Sequence, residues 1–176
     1  MKKTCSLLFV CALAAATGVA AEPDPRLAPL LPLVGKTWRG TLSAPGAAKA
    51  IVDVHRFDLA VGGRAVRSSH SVNDGEYGGE TLFTWDEEKK TIVYTYVTNG
   101  GFYTTGTLAV EAGGGFKSLE TVHGSAGGVS QVEATSQVLP DGRLHVKSRH
   151  LKDGQWVEGR EVYYAVDASA VVRFKD

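Results

Sequence analysis

Five histidines, His55, His70, His123, His145 and His150, are the side chains best able to do chemistry in this sequence. Imidazole titrates near neutral pH, donates and accepts protons, and ligates metals. No His-x-His or similar short spacing forces them together, so hydrogen-bonded interior histidines are expected ahead of a metal centre. Asp53 lies two residues before His55 and would share its strand face, which is the minimal spacing of a general acid–base pair. Ser125, in the run His123-Gly124-Ser125-Ala126-Gly127, lacks the Gly-x-Ser-x-Gly pattern of a nucleophile elbow. The glycine runs 113–115 and 127–128 lack the Lys-Ser/Thr that a phosphate loop needs. Asp74, Glu76 and Glu80 do not carry the regular oxygen spacing of a calcium loop. Tyr94, Tyr96, Tyr103, Tyr163 and Tyr164 combine apolar faces with hydroxyl handles, and Phe102 adds a further apolar ring, a combination that suits a binding pocket.

The elements that must position these groups are strands. Ten runs of β-forming residues, approximately 36–43, 48–60, 64–73, 77–86, 90–98, 101–111, 115–123, 128–139, 143–151 and 155–166, alternate with glycine-rich or acidic turns. Asn73-Asp74-Gly75, Asn99-Gly100-Gly101, Asp141-Gly142 and Asp153-Gly154 offer the positive-φ positions that tight hairpins require. Hairpins pair neighbouring strands in order, and a meander of this size closes into a barrel or stacks as two sheets. The fold class expected is all-β, a single antiparallel up-and-down barrel of about ten strands. Before it, Leu27, Leu30, Leu31 and Val34 recur at helical spacing, and Pro29 and Pro32 limit this segment to a short apolar plug.

Period-two alternation assigns the faces. Inward positions are Ile51, Asp53, His55, Phe57 and Leu59; Val66, Ser68, His70 and Val72; Gly79, Thr81, Phe83 and Trp85; and Ile92, Tyr94 and Tyr96. The eighth strand turns Val132, Ala134, Ser136 and Val138 inward, and the ninth Leu144, Val146, Ser148 and His150, leaving His145 outside. Unpartnered buried hydroxyls and imidazoles cost about 1–3 kcal/mol each. So polar an interior therefore suits a partly hydrated cavity better than a filled core.

Composition narrows the setting. Residues 1–21 read as a secretory leader, with Lys2 and Lys3 before an apolar stretch and Val19-Ala20-Ala21 as the cleavage site, so residues 22–176 form the expected domain and the expected location is periplasmic or secreted. The apolar run is shorter than the roughly 20 residues of a membrane span. Both cysteines, Cys5 and Cys11, fall in the leader, so the mature chain has neither a disulfide nor a cysteine nucleophile. Loss of Lys2 and Lys3 takes the 19 basic residues to 17 against 19 acidic, a net charge of about −2 that argues against a nucleic-acid partner.

The segment Leu30-Leu31-Pro32-Leu33-Val34-Gly35-Lys36-Thr37-Trp38-Arg39-Gly40 resembles the opening of calycin-type barrels, where an apolar turn leads into a Gly-x-x-Trp first strand. Lipocalins, fatty-acid-binding proteins and nitrobindin-like haem barrels share this layout, and the chain is similar in particular to secreted bacterial members of unassigned chemistry. The resemblance implies structural roles for Gly35, Trp38 and Gly40, the glycines letting the backbone bend past its neighbours. It also implies a basic residue of the last strand lying over the tryptophan, a place Arg160 could fill. Nitrobindin-like barrels hold haem through a histidine on the closing strand. Here that strand reads Glu161-Val162-Tyr163-Tyr164-Ala165-Val166, so no haem or other cofactor is expected, with His150 and Tyr164 as the alternative iron ligands.

Together these readings give a binding protein for a small hydrophobic or amphipathic molecule held inside the barrel. The expected contacts are His55, His70, Phe83, Tyr94, Tyr96, His150, Arg160 and Tyr164. An isomerase-like barrel enzyme using the interior His and Tyr groups, or a non-catalytic structural module of the envelope, stands as the alternative.

Overall fold

A computed structural model describes residues 22–42, 48–124 and 126–175; residues 1–21, where a leader is expected, and Ser125 lie outside the described residues. The strands are β1 (Thr37–Thr41), β2 (Val52–Ala60), β3 (Ala65–Val72), β4 (Tyr77–Asp86), β5 (Thr91–Thr98), β6 (Phe102–Val110), β7 (Phe116–Gly124), β8 (Val129–Val138), β9 (Leu144–Lys152) and β10 (Gln155–Val166). Each pairs antiparallel with its chain neighbours, and β1 pairs with β10 through Trp38↔Val166 and Arg39↔Ala165, closing a ten-stranded barrel. Closure removes the two sheet edges that an open meander would expose. Turn chemistry sets the order: Asp153 and Gly154 both have positive φ, as do Asn73, Asp74 and Gly75.

One end is plugged by a 3₁₀ helix, Pro25–Leu33. Its buried residues are Leu27, Leu30 and Leu33, a spacing of three. The sequence reading placed Leu31 and Val34 on the apolar face instead of Leu33; the tighter 3₁₀ turn rotates the stripe, because side chains three apart eclipse in this geometry. Asp24 caps the helix, its Oδ1 accepting from the Arg26 backbone N–H at 3.0 Å. That hydrogen bond, with the one from the Arg26 guanidinium, holds the Asp24 carboxyl well below the usual carboxylate range. Trp38, fully buried, donates its indole N–H to the Leu33 carbonyl at 3.3 Å and ties the plug to β1.

Gly40 has a different role from the expected backbone bend. A Cβ there would fall 2.6 Å from Tyr164 Cδ1, so the missing side chain makes room for a tyrosine ring. Gly106 does the same for Tyr94, whose Cζ lies 2.5 Å from the would-be Cβ, and Gly79 for Tyr96 Cε2 at 2.6 Å. Three interior tyrosines thus lean over three strand glycines, which fixes where their hydroxyls reach.

The segment 167–175 returns along the outside of β2 and β3. Arg173 donates its backbone N–H to Ser71 Oγ at 3.1 Å and pairs with Asp74 at 3.3 Å. This explains why Val54 and Ser71 are buried although they point away from the interior. Among the described residues no helix is long and apolar enough to cross a membrane.

Candidate functional site

The barrel encloses two chambers stacked along its axis. Leu33 of the plug lines the inner one, of about 190 Å³, with Phe57, Phe83, Tyr94, Leu108 and Tyr164. The outer one, of about 500 Å³, reaches the strand ends remote from the plug and is lined by His70, Tyr77, Tyr96, Phe102, His150 and Arg160. His55, Ser68, Thr81 and Glu120 line both, so they form a waist. Apolar surface predominates in both chambers, and the ionisable side chains His70, His150 and Arg160 gather above the waist.

At the waist a hydrogen-bond network grows from Asp53, which is 4% exposed. Its Oδ2 accepts from Tyr164 Oη at 2.9 Å and lies 2.9 Å from His55 Nε2; its Oδ1 lies 3.1 Å from His70 Nδ1. The strand register brings these together, since His55 and His70 are direct partners across β2 and β3 and their rings stack at 4.7 Å. Burial alone would raise the Asp53 carboxyl, but His55 and His70 outweigh it and hold the group well below its ordinary value. An ionised carboxylate only accepts, so each histidine presents an N–H to it. Burial lowers the pKa of His70 and favours its neutral form. With its one N–H given to Asp53, His70 accepts from the Tyr96 hydroxyl at 2.6 Å, leaving the Tyr96 oxygen 2.9 Å from that of Tyr77. Burial raises all four interior phenols, Tyr77, Tyr94, Tyr96 and Tyr164, and keeps them protonated. His55 Nδ1 makes no hydrogen bond among the described residues.

The donor atoms of Asp53, His55 and His70 lie within 4.8 Å of one another, a set of the type transition metals use. Asp53, His70 and His55 Nε2 are engaged with one another and with Tyr96 and Tyr164, so among these groups only His55 Nδ1 is left open.

Across the waist stands Glu120. β7 is five strands from β2 in either direction around the ring, so Glu120 projects from the wall opposite His55. The cavity wets its carboxyl while the barrel encloses it, and burial raises its pKa. Tyr94 Oη and Thr104 Oγ1, on side chains only 6% and 1% exposed, lie beside it without completing a well-formed hydrogen bond.

All eight expected contact residues reach a chamber wall: Phe83, Tyr94 and Tyr164 the inner one, His70, Tyr96, His150 and Arg160 the outer one, and His55 both. Arg160 does not lie over Trp38, whose ring instead carries Lys36 Nζ at 5.6 Å. A bulge between Glu158 and Glu161 places Arg160 at the outer chamber, its backbone N–H on Ser148 Oγ at 3.1 Å. The Arg160 guanidinium has no ion pair with Glu158 or Glu161, which meet Lys147 and His145 instead. Tyr103 and Tyr163 point outward and stack on His123 and His145. Phe102, one of the aromatics read as suited to a pocket, lines the outer chamber, while Glu120, Tyr77 and Thr104 were missed. A signal for Glu120 existed, because Phe116, Ser118, Glu120 and Val122 alternate on one face, and a carboxylate in phase with Phe116 marks an interior polar group.

No family model matches the sequence, and no curated protein matches it. Among solved structures, the "Crystal Structure of Rv2717c from M. tuberculosis" superposes with a TM-score of 0.56, over 82% of this chain and 98% of that one, at 15% identity. Likeness at that identity is a likeness of fold, and the fold it supports is the closed antiparallel barrel.

Proposed function

We propose that this is an exported, calycin-like barrel that binds a small amphipathic molecule, its apolar part below the waist and its polar part above. The observation that carries the reading is a cavity inside the barrel whose lining is mostly apolar and whose ionisable groups gather at the waist and in the outer chamber. A filled structural core would leave no such space, and ligand sites are typically cavities of about 300–1,000 Å³ with a few placed polar groups. Arg160, without an ion pair among the described residues, adds a cation and His150 an imidazole in the outer chamber. The leader-like residues 1–21 support export.

The test is a titration of the mature protein with a panel of fatty acids, retinoids and porphyrins, read by tryptophan emission. Saturable 1:1 quenching by an amphipathic member is expected. A panel without any response would count against a ligand-binding barrel.

A further inference from the structure

The waist holds more polar machinery than retention of an apolar guest requires. His55 offers an unengaged Nδ1, while its Nε2 faces Asp53 at 2.9 Å. Asp53 is itself clamped by Tyr164 and His70, so it fixes the His55 tautomer with the proton on Nε2 and a lone pair on Nδ1. An imidazole oriented in this way by a buried carboxylate is the arrangement that serves as a general base elsewhere in protein chemistry. On the opposite wall Glu120 faces both chambers, and beside it the fully buried hydroxyls of Tyr94 and Thr104 lack good partners of their own.

We infer that the waist is a proton-transfer site in which His55 is the base and Glu120 the acid, acting on an enolisable carbonyl compound whose flat apolar body sits between them. The inference rests on the cavity being a ligand site. His55 Nδ1 takes the proton from the carbon next to the carbonyl, and the C–H electron pair becomes the C=C bond of the enol. The carbonyl oxygen receives the Glu120 proton. Returning a proton from His55 to the same carbon gives exchange, and returning it to a conjugated carbon gives an isomer; Glu120 recovers its proton from the enol oxygen in either case. No oxidant, reductant or metal enters the balance. Burial favours the protonated form of Glu120, which fits it to donate, while Asp53 remains ionised and positions the base. Two carboxyl groups with opposed environments in one cavity thereby divide the acid and positioning roles.

The probe is 2-tetralone, a flat bicyclic ketone with acidic hydrogens next to its carbonyl. Exchange of those hydrogens is followed by NMR in D₂O with the mature protein, and binding of non-enolisable benzophenone is measured alongside. The protein is expected to accelerate exchange over buffer. His55→Gln, which keeps an N–H for Asp53, should lower the enzymatic rate by about 100-fold, in the range of general acid–base contributions. Glu120→Leu should lower it by at least tenfold, both variants should melt as the parent does, and their benzophenone affinities, measured alongside, separate a loss of rate from a loss of binding. Benzophenone binding without accelerated exchange, or exchange unchanged in His55→Gln, would overturn the proton-transfer site and leave the binding reading intact. Absence of both binding and exchange would overturn both.

Discussion

Replacement of Asp53 by alanine is expected to destabilise the barrel by about 3–5 kcal/mol, the usual cost of removing one partner from a buried charged network. Tyr164, His55 and His70 all present protons to this carboxylate, and the other carboxyl of the waist, Glu120, stands on the opposite wall. For a chain of this length a loss of that size lowers the melting temperature by roughly 10 °C. Thermal unfolding followed by circular dichroism at neutral pH measures it, and an unchanged midpoint would show that the network carries no stability. The sign of the pH dependence follows from the same groups. Asp53 is held below its unfolded value, so its contribution is complete above about pH 4 and is lost as the pH falls further. His70 is also lowered, by burial, so the neutral ring favours the fold above about pH 6.5 and stability declines as the unfolded chain gains that proton. Glu120 has the opposite sign, because burial raises it and its contribution weakens as the pH rises above about 4.5. Acidification from neutrality should therefore destabilise in two stages, and Asp53→Ala should weaken the lower one, to which Asp24 also contributes.

Filling the inner chamber should have the largest effect on binding. Ala134 and Ser136 of β8 face it beside Phe116 and Val146. Ala134→Leu or Ser136→Phe places carbon where the apolar part of the guest is to lie. Affinity for an amphipathic probe should fall at least tenfold, about 1.4 kcal/mol. Stability should hold or rise, since the added atoms enter space rather than a packed core, where overpacking costs about 1–3 kcal/mol. Thr135→Leu, on the adjacent outward position, is the control and should leave affinity unchanged. Equal affinities in all three variants would place the guest elsewhere.

Much of the barrel was legible because alternation and turn chemistry agree locally. The β9 pattern from Leu144 to His150 and the Asp153-Gly154 hairpin each specify one face and one register, and the ten strands fall within a few residues of where the pattern put them. The plug was less legible, since two prolines select a 3₁₀ turn and move the buried stripe onto Leu33. Parity alone placed His55, His70, Phe83, Tyr94, Tyr96 and His150 at the cavity, whereas Tyr164 came from the tyrosine-rich closing strand. What joins these residues was not legible, because Asp53 reaches Tyr164 across 111 residues of sequence, and only barrel closure brings β1 and β10 together. Nor could spacing reveal that Gly40, Gly79 and Gly106 each seat a tyrosine, as that depends on cross-strand register. Arg160 was sent to Trp38 by resemblance, and the bulge beside Ser148 shows why it sits at the cavity instead.

Native mass spectrometry of the mature chain, purified without denaturant from its own host, tests the central claim without presupposing a ligand. The two-chamber cavity predicts one equivalent of a small molecule that leaves when the barrel is unfolded by acid, and less of it in Ala134→Leu. A mass equal to that of the bare polypeptide in both proteins would contradict the account.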